Sequence, residues 1–271
     1  MTSFTLALAQ SGYPTDGDVL AQAEVFAERA GRAGSHLLVF PENFMCPRPL
    51  SAQELRDISE PTSGPFVQGM GTCARRHGMW IVFTMSEANP AGGPPFNTAV
   101  VVDDAGEVRG SYRKCHLYDA HAVRESDRMS AGDALCTPIV TPFCTLGVGI
   151  CYDLRFPELA RHLALAGCDL LLFPSAWHDG PHKARHWQTL LAARAIENEC
   201  YVAGVCHAGS RFVGTSLVAD PLGSIVASGP ATSDAQGPEA LVLARIDTQA
   251  TTAARDAMPV LEHRHPGLYQ L

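Results

Sequence analysis

Residues 147–160 read GVGICYDLRFPELA: small apolar residues, a cysteine, a polar turn, then a segment that a proline opens as a helix. A cysteine at the sharp exit of a strand exposes its sulfur above the sheet edge. Backbone N–H groups of the turn can then face an oxyanion, much as at the nucleophile elbow of serine hydrolases. The attacking species is the thiolate, and a lysine cation nearby would draw its pKa down toward the working range. A neighbouring carboxylate would then act as general base and acid. Cys151 is thus a candidate nucleophile, although a cysteine is more often a small buried hydrophobe.

Two distant stretches offer the partners. In LLVFPENFM an apolar strand ends at Phe40 and Glu42 follows Pro41, so a carboxylate sits just past a strand's C-terminal edge, where open α/β sheets bind ligands. A solvated loop glutamate would read the same way. In RGSYRKCHLYD, Lys114 ends the second strand of a hairpin and enters a segment, 115–138, rich in charge and poor in regular pattern. Long loops of that kind are often functional. Glu125 lies within it, in AVRESDRMSAGD, where a surface salt bridge to Arg124 or Arg128 would account for it equally well. Glu42, Lys114 and Cys151, each at a strand end, can converge on one rim.

The elements that must carry these residues follow from periodicity. Alternating or continuous apolar runs predict strands over 4–9, 36–40, 80–85, 98–102, 108–112, 145–150, 170–173, 201–205, 215–219, 224–227 and 241–246. Turns fall at DDAG, before 108, and at DPLG, 220–223. Helical spacing predicts helices over 19–30, 66–77, 157–166, 183–198 and 248–257. Strand and helix alternate in the first half and again around 145–205, with hairpins elsewhere, so the expected fold is α/β, with large mixed sheets covered by helices. No linker, low-complexity tract or repeat interrupts the chain, which predicts a single domain over 1–271.

Composition narrows the function classes. The 271 residues are 46% hydrophobic and 18% charged, enough for a substantial core, and the formal charge is −8. An acidic chain without runs of like charge argues against nucleic acid and against an anionic membrane surface as partners, and favours a small-molecule substrate. The N-terminal stretch lacks a basic region and no window approaches a spanning length, which predicts a cytoplasmic protein. Nine cysteines, an odd number without a C-x-x-C pair, fit neither a disulfide framework nor a zinc ribbon.

The motifs FPE at 40–42, YRKCHLYD at 112–119 and GICYDLRFPE at 149–158, in this order and spacing, resemble the nitrilase (carbon-nitrogen hydrolase) superfamily along nearly the whole chain. The resemblance implies a four-layer α-β-β-α sandwich, a Glu42–Lys114–Cys151 triad, and a second glutamate at Glu125. It also implies association into homodimers or larger homo-oligomers, and no cofactor. In the implied mechanism Glu42 takes the Cys151 proton and the thiolate attacks an amide carbonyl. Lys114 and the Tyr152 N–H meet the oxyanion, ammonia leaves, and Glu42 activates the water that cleaves a thioester. Glu125 holds Lys114 and substrate in register. Within the superfamily, HLYDAHAVRES, CYDLRFPELA and SAWHDGPHKARHWQTLLAARAIEN are most similar to amidases acting on deaminated glutathione, then to omega-amidase, both of which take a 2-oxo acid amide. Broader aliphatic amidase, nitrilase or N-carbamoyl amidase activity stays open.

Arg155, four residues past the cysteine, is a candidate clamp for a substrate carboxylate, because guanidinium binds carboxylate as a bidentate fork. A salt bridge to Glu158 or Asp153 is the alternative. Trp177 is a candidate pocket wall or a core residue. His178, His182 and His186 are spaced by four, but Gly180 and Pro181 interrupt any helix joining the first pair, and no metal is expected.

Overall fold

The computed structural model describes residues 3–121, 123–231 and 239–268. The first half runs β1 (Ser3–Gln10), α1 (Val19–Arg32), β2 (Leu37–Val39), α2 (Ala52–Ile58), α3 (Pro65–His77), β3 (Trp80–Glu87), β4 (Phe96–Val102) and β5 (Val108–Arg113). There follow a short hairpin, β6 (Asp119–Ala120) with β7 (Val123–Arg124), then β8 (Ile139–Val140), β9 (Thr145–Val148), α4 (Pro157–Leu165) and β10 (Leu170–Ser175). The chain continues through α5 (Lys183–Asn198), β11 (Tyr201–Cys206), β12 (Leu217–Ala219), β13 (Ile225–Ser228), β14 (Ala240–Asp247) and α6 (Thr248–Ala257).

Two six-stranded sheets result, in the orders β14-β1-β2-β3-β4-β5 and β13-β12-β11-β10-β9-β8. One face of the first sheet, with Ala7, Leu38, Ile81, Phe83 and Val100, packs against Ala23, Phe26 and Ala27 of α1 and Met70 and Ala74 of α3. Its other face, with Leu6, Leu8, Val39 and Val82, joins Leu146, Val148, Leu170 and Leu172 of the second sheet in one core. That core extends to Leu163 of α4 and Trp187 and Leu191 of α5. Helix, sheet, sheet and helix thus form the four layers that the family resemblance implies. Burying both faces explains why β3, β10 and β11 read as continuous apolar runs rather than alternating ones.

The expected helices hold to within about one turn because their signals are local: Pro65 and Pro157 open α3 and α4, and left-handed Gly78 closes α3. Helix α2 was not foreseen, although Ser51 and Glu54 make its capping box. The strand expected from 215 starts at Leu217, because Thr215 has φ +46° and cannot continue a ladder. Gly147 and Gly149 let β9 and the residue beyond it lie close under α4 and beside β10: a Cβ at Gly149 would stand 3.2 Å from Leu159 and 2.7 Å from the Phe173 ring, and one at Gly147 2.9 Å from Leu163.

Topology decides where functional groups can meet. β1, β2 and β3 are parallel, two antiparallel pairings bring β5 back to the same direction, and β9, β10 and β11 are parallel in the second sheet. The C-terminal ends of these strands carry Ser11, Glu42, Lys114, Cys151, Ala176 and His207 within a few residues of each exit. Among the described residues, no helix is long and apolar enough to cross a membrane.

Candidate active site

Glu42, Lys114, Glu125 and Cys151 come together on the floor of a cavity of about 190 Å³. Glu42 is 3% exposed and Lys114 2%. The Lys114 ammonium donates to Glu42 Oε1 at 2.8 Å and to both oxygens of Glu125, at 3.0 and 2.8 Å. All three of its N–H bonds are therefore committed to two carboxylates. Glu125 pairs with neither arginine considered from the sequence: Arg124 lies 3.6 Å from Asp127, and Arg128 donates to the Leu50 carbonyl. A 3-10 turn over Glu125–Asp127 aims the carboxylate inward, where it also accepts the Tyr118 N–H at 2.7 Å. The loop glutamate that sequence reasoning left open is thus a partner of the buried lysine.

Glu42 is held as tightly. Oε1 accepts from Asn97 Nδ2 at 2.8 Å and Oε2 accepts from the Ala176 N–H at 2.8 Å, while Cys151 lines the same cavity. Beneath it, the buried His207 ring places Nε2 2.6 Å from the Glu42 carbonyl oxygen and Nδ1 3.1 Å from that of Ser11. None of Asn97, Ala176 and His207 was foreseen. The one signal for Asn97 was a polar residue near the start of an otherwise apolar strand.

Cys151 opens a 3-10 turn, Cys151–Arg155, with φ +47°, the left-handed region that costs a β-carbon-bearing residue roughly 1 to 2 kcal/mol. The strain turns the chain sharply out of the strand and leaves the half-buried sulfur facing the cavity. Tyr152 follows in the first turn, where N–H groups lack intrahelical partners. Its ring stands edge-on to Tyr118 at 5.0 Å and to Phe156 at 5.3 Å.

The charges are set by burial against their neighbours. Burial raises the Glu42 carboxyl, but the Lys114 cation and the hydrogen bonds from Lys114, Cys151 and Ala176 outweigh it, holding the group below the ordinary carboxylate range. Burial lowers Lys114, and Glu42 and Glu125 outweigh it, so the ammonium lies well above its usual range. Cys151 departs from the sequence expectation. Burial and the Glu42 charge push its thiol well above the ordinary range, and the Lys114 cation does not offset them. The balance thus favours an ionised Glu42 and Lys114 and opposes ionisation of the Cys151 thiol.

The cavity wall carries the remaining candidates. Arg155 stacks 4.8 Å over the Trp177 ring and has no carboxylate partner among the described residues; Asp153, one alternative, is engaged elsewhere. Trp177 is both wall and core, 4% exposed, with its indole N–H on the Lys183 carbonyl at 3.1 Å. Lys183, not singled out in the sequence, also lines the cavity, 3.3 Å from the Tyr118 hydroxyl. His182 and His186 stack 6.3 Å apart while His178 packs on Phe212. The group of potential metal donors among the described residues is Glu24, Cys73 and His77, between α1 and α3. There Glu24 is already paired with His77 and Arg76.

Known proteins resemble this chain along nearly its whole length. The carbon-nitrogen hydrolase family model matches residues 5–256. A deaminated glutathione amidase from Bos taurus is 37% identical over 265 residues, 91% of this chain and 77% of the relative. The nitrilase and fragile histidine triad fusion protein NitFhit from Caenorhabditis elegans superposes with a TM-score of 0.88 at 32% identity, over 100% of this chain and 67% of that one. Saccharomyces cerevisiae Nit3, a member of branch 10 of the nitrilase superfamily, superposes with a TM-score of 0.84 at 31% identity, over 96% of this chain and 95% of that one. The match along nearly the whole chain, in sequence and in architecture, places this protein in the carbon-nitrogen hydrolase family, as a hydrolase of carbon–nitrogen bonds.

Proposed function

We propose that the chain is a cysteine-dependent amidase acting on the amide of a small 2-oxo acid, with deaminated glutathione as the first substrate to test. The observation that carries this reading is the convergence of buried Glu42 and Lys114, ion-paired at 2.8 Å, with Glu125 and Cys151 on one cavity. Glu42 accepts the Cys151 proton as sulfur bonds to the amide carbon. The developing oxyanion is met by the Tyr152 N–H and by Lys114, which releases one of its two bonds to Glu125 to reach it. Collapse breaks the C–N bond, and the proton on Glu42 leaves with the amine. Water, deprotonated by Glu42, then attacks the thioester, and the proton returns to sulfur as the carboxylate departs. With deaminated glutathione the amine released is cysteinylglycine; with a primary amide it is ammonia.

Arg155, a cation without a carboxylate of its own among the described residues, supports an anionic acyl group. The cavity size favours a second substrate, 2-oxoglutaramate. About 190 Å³ lies below the roughly 300 Å³ at which drug-sized ligands are usually enclosed. The acyl side fits inside, and a dipeptide leaving group must project through the mouth. The test is an amine-release screen of deaminated glutathione, 2-oxoglutaramate, N-carbamoyl amino acids, aliphatic amides and nitriles. Higher kcat/KM on the two oxo acid amides is expected; faster turnover of carbamoyl compounds, simple amides or nitriles overturns the substrate class.

A further inference from the structure

Asp153 lies two residues past the cysteine and is fully buried. Its Oδ2 accepts the Ile150 N–H at 2.8 Å and the Tyr112 hydroxyl at 2.9 Å; its Oδ1 accepts the His116 N–H at 3.2 Å and faces His116 Nδ1 at 2.7 Å. Against a carboxylate oxygen, the ring nitrogen is the donor in that last contact. Tyr112 and His116 flank Lys114 two residues to either side, and Ile150 immediately precedes Cys151. The Tyr112 hydroxyl in turn accepts the Cys115 N–H at 3.2 Å, and the His116 ring lies flat on Phe156, at 3.7 Å and 9°, just past the cysteine's turn.

One carboxylate thus buckles the end of β5, in the first sheet, to the exit of β9, in the second. Among the described residues it has no lysine or arginine partner, and a carboxylate without one is a costly way to join two layers that apolar packing already joins. What packing alone does not set is angular and distance precision between a lysine on one sheet and a thiol on the other. We propose that Asp153 and His116 are positioning residues that set the placement of Lys114 relative to Cys151, and so govern thiol ionisation and acylation rather than substrate binding. The proposal rests on the reading of Cys151 as nucleophile.

The test compares His116→Ala, Tyr112→Phe and His116→Asn in kcat, KM and the pH midpoint of Cys151 alkylation by iodoacetamide, with Cys151→Ala as blank. Misplacement on the ångström scale predicts that His116→Ala and Tyr112→Phe lose between about ten- and a hundredfold in kcat, with KM within about twofold. With the cation drawn away, the alkylation midpoint moves to higher pH. His116→Asn, whose amide can donate from nearly the place of Nδ1, restores both. Unchanged kcat and midpoint in His116→Ala and Tyr112→Phe overturn the proposal, even where the melting temperature falls, because a mere staple would do that. If the alanine variant does not fold, His116→Asn against His116→Gln carries the same comparison, and equal activity in the two overturns it. Turnover that survives Cys151→Ala would instead refute the nucleophile assignment, a separate failure.

Discussion

Replacing Glu42 by glutamine separates the two things this carboxylate does, because the change keeps shape and removes charge. The best orientation of the new amide keeps its oxygen toward Lys114 Nζ and Asn97 Nδ2, both at 2.8 Å, and turns its NH2 toward the Ala176 N–H, also at 2.8 Å. One hydrogen bond is lost and a donor faces a donor, worth roughly 1 to 3 kcal/mol, or about 2 to 10 °C in melting temperature for a chain of this size. Lys114 keeps Glu125 as counter-charge, so the fold survives. Catalysis loses its proton acceptor in both acylation and deacylation, about 10²- to 10⁴-fold in kcat. The thiol responds in the opposite sense. Glu42 is, after burial, the largest influence holding the Cys151 proton on, and Lys114 opposes it. Without that negative charge the alkylation midpoint of Cys151 moves down. Steady-state turnover and an iodoacetamide rate–pH series measure the two effects on one preparation. Turnover within tenfold of wild type while Cys151→Ala is dead, or a midpoint that rises, would refute the assignment of Glu42 as base.

Two further outcomes follow from the same geometry. The kcat/KM–pH profile of the wild-type protein should be flat from roughly pH 5 to pH 9, the interval between ordinary carboxylate and thiol values. Glu42 ionises below its usual range, and both Lys114 and Cys151 keep their protons above theirs, so neither limb intrudes; an acid limb near pH 7 would contradict it. The Arg155→Leu substitution should raise KM for a 2-oxo acid amide about tenfold or more, the worth of one charge-assisted bond, while leaving KM for a neutral aliphatic amide nearly unchanged; equal effects on both would remove the carboxylate clamp.

What the sequence made legible was whatever one strand end or one turn encodes by itself. Pro157 marks the helix after the cysteine, and Glu42, Lys114 and Cys151 each stand at the C-terminal exit of a strand. Asn97, Ala176, His207 and the Asp153 buckle were not legible, because their roles arise from register between strands and from the facing of two sheets. The Ala176 contact uses a backbone N–H, so no residue type announces it. The sign of the thiol shift was misread for a related reason. A lysine near a cysteine, taken alone, lowers its pKa. In this site the same lysine is held by two carboxylates, one of which also touches the thiol, and burial penalises the thiolate further. Residue types indicate which charges are present; whether they add or cancel at the sulfur depends on distances that only the folded arrangement supplies. In the proposed mechanism, a thiol that resists ionisation beside a carboxylate that favours it would keep Cys151 inert until a substrate carbonyl gives the proton transfer a use.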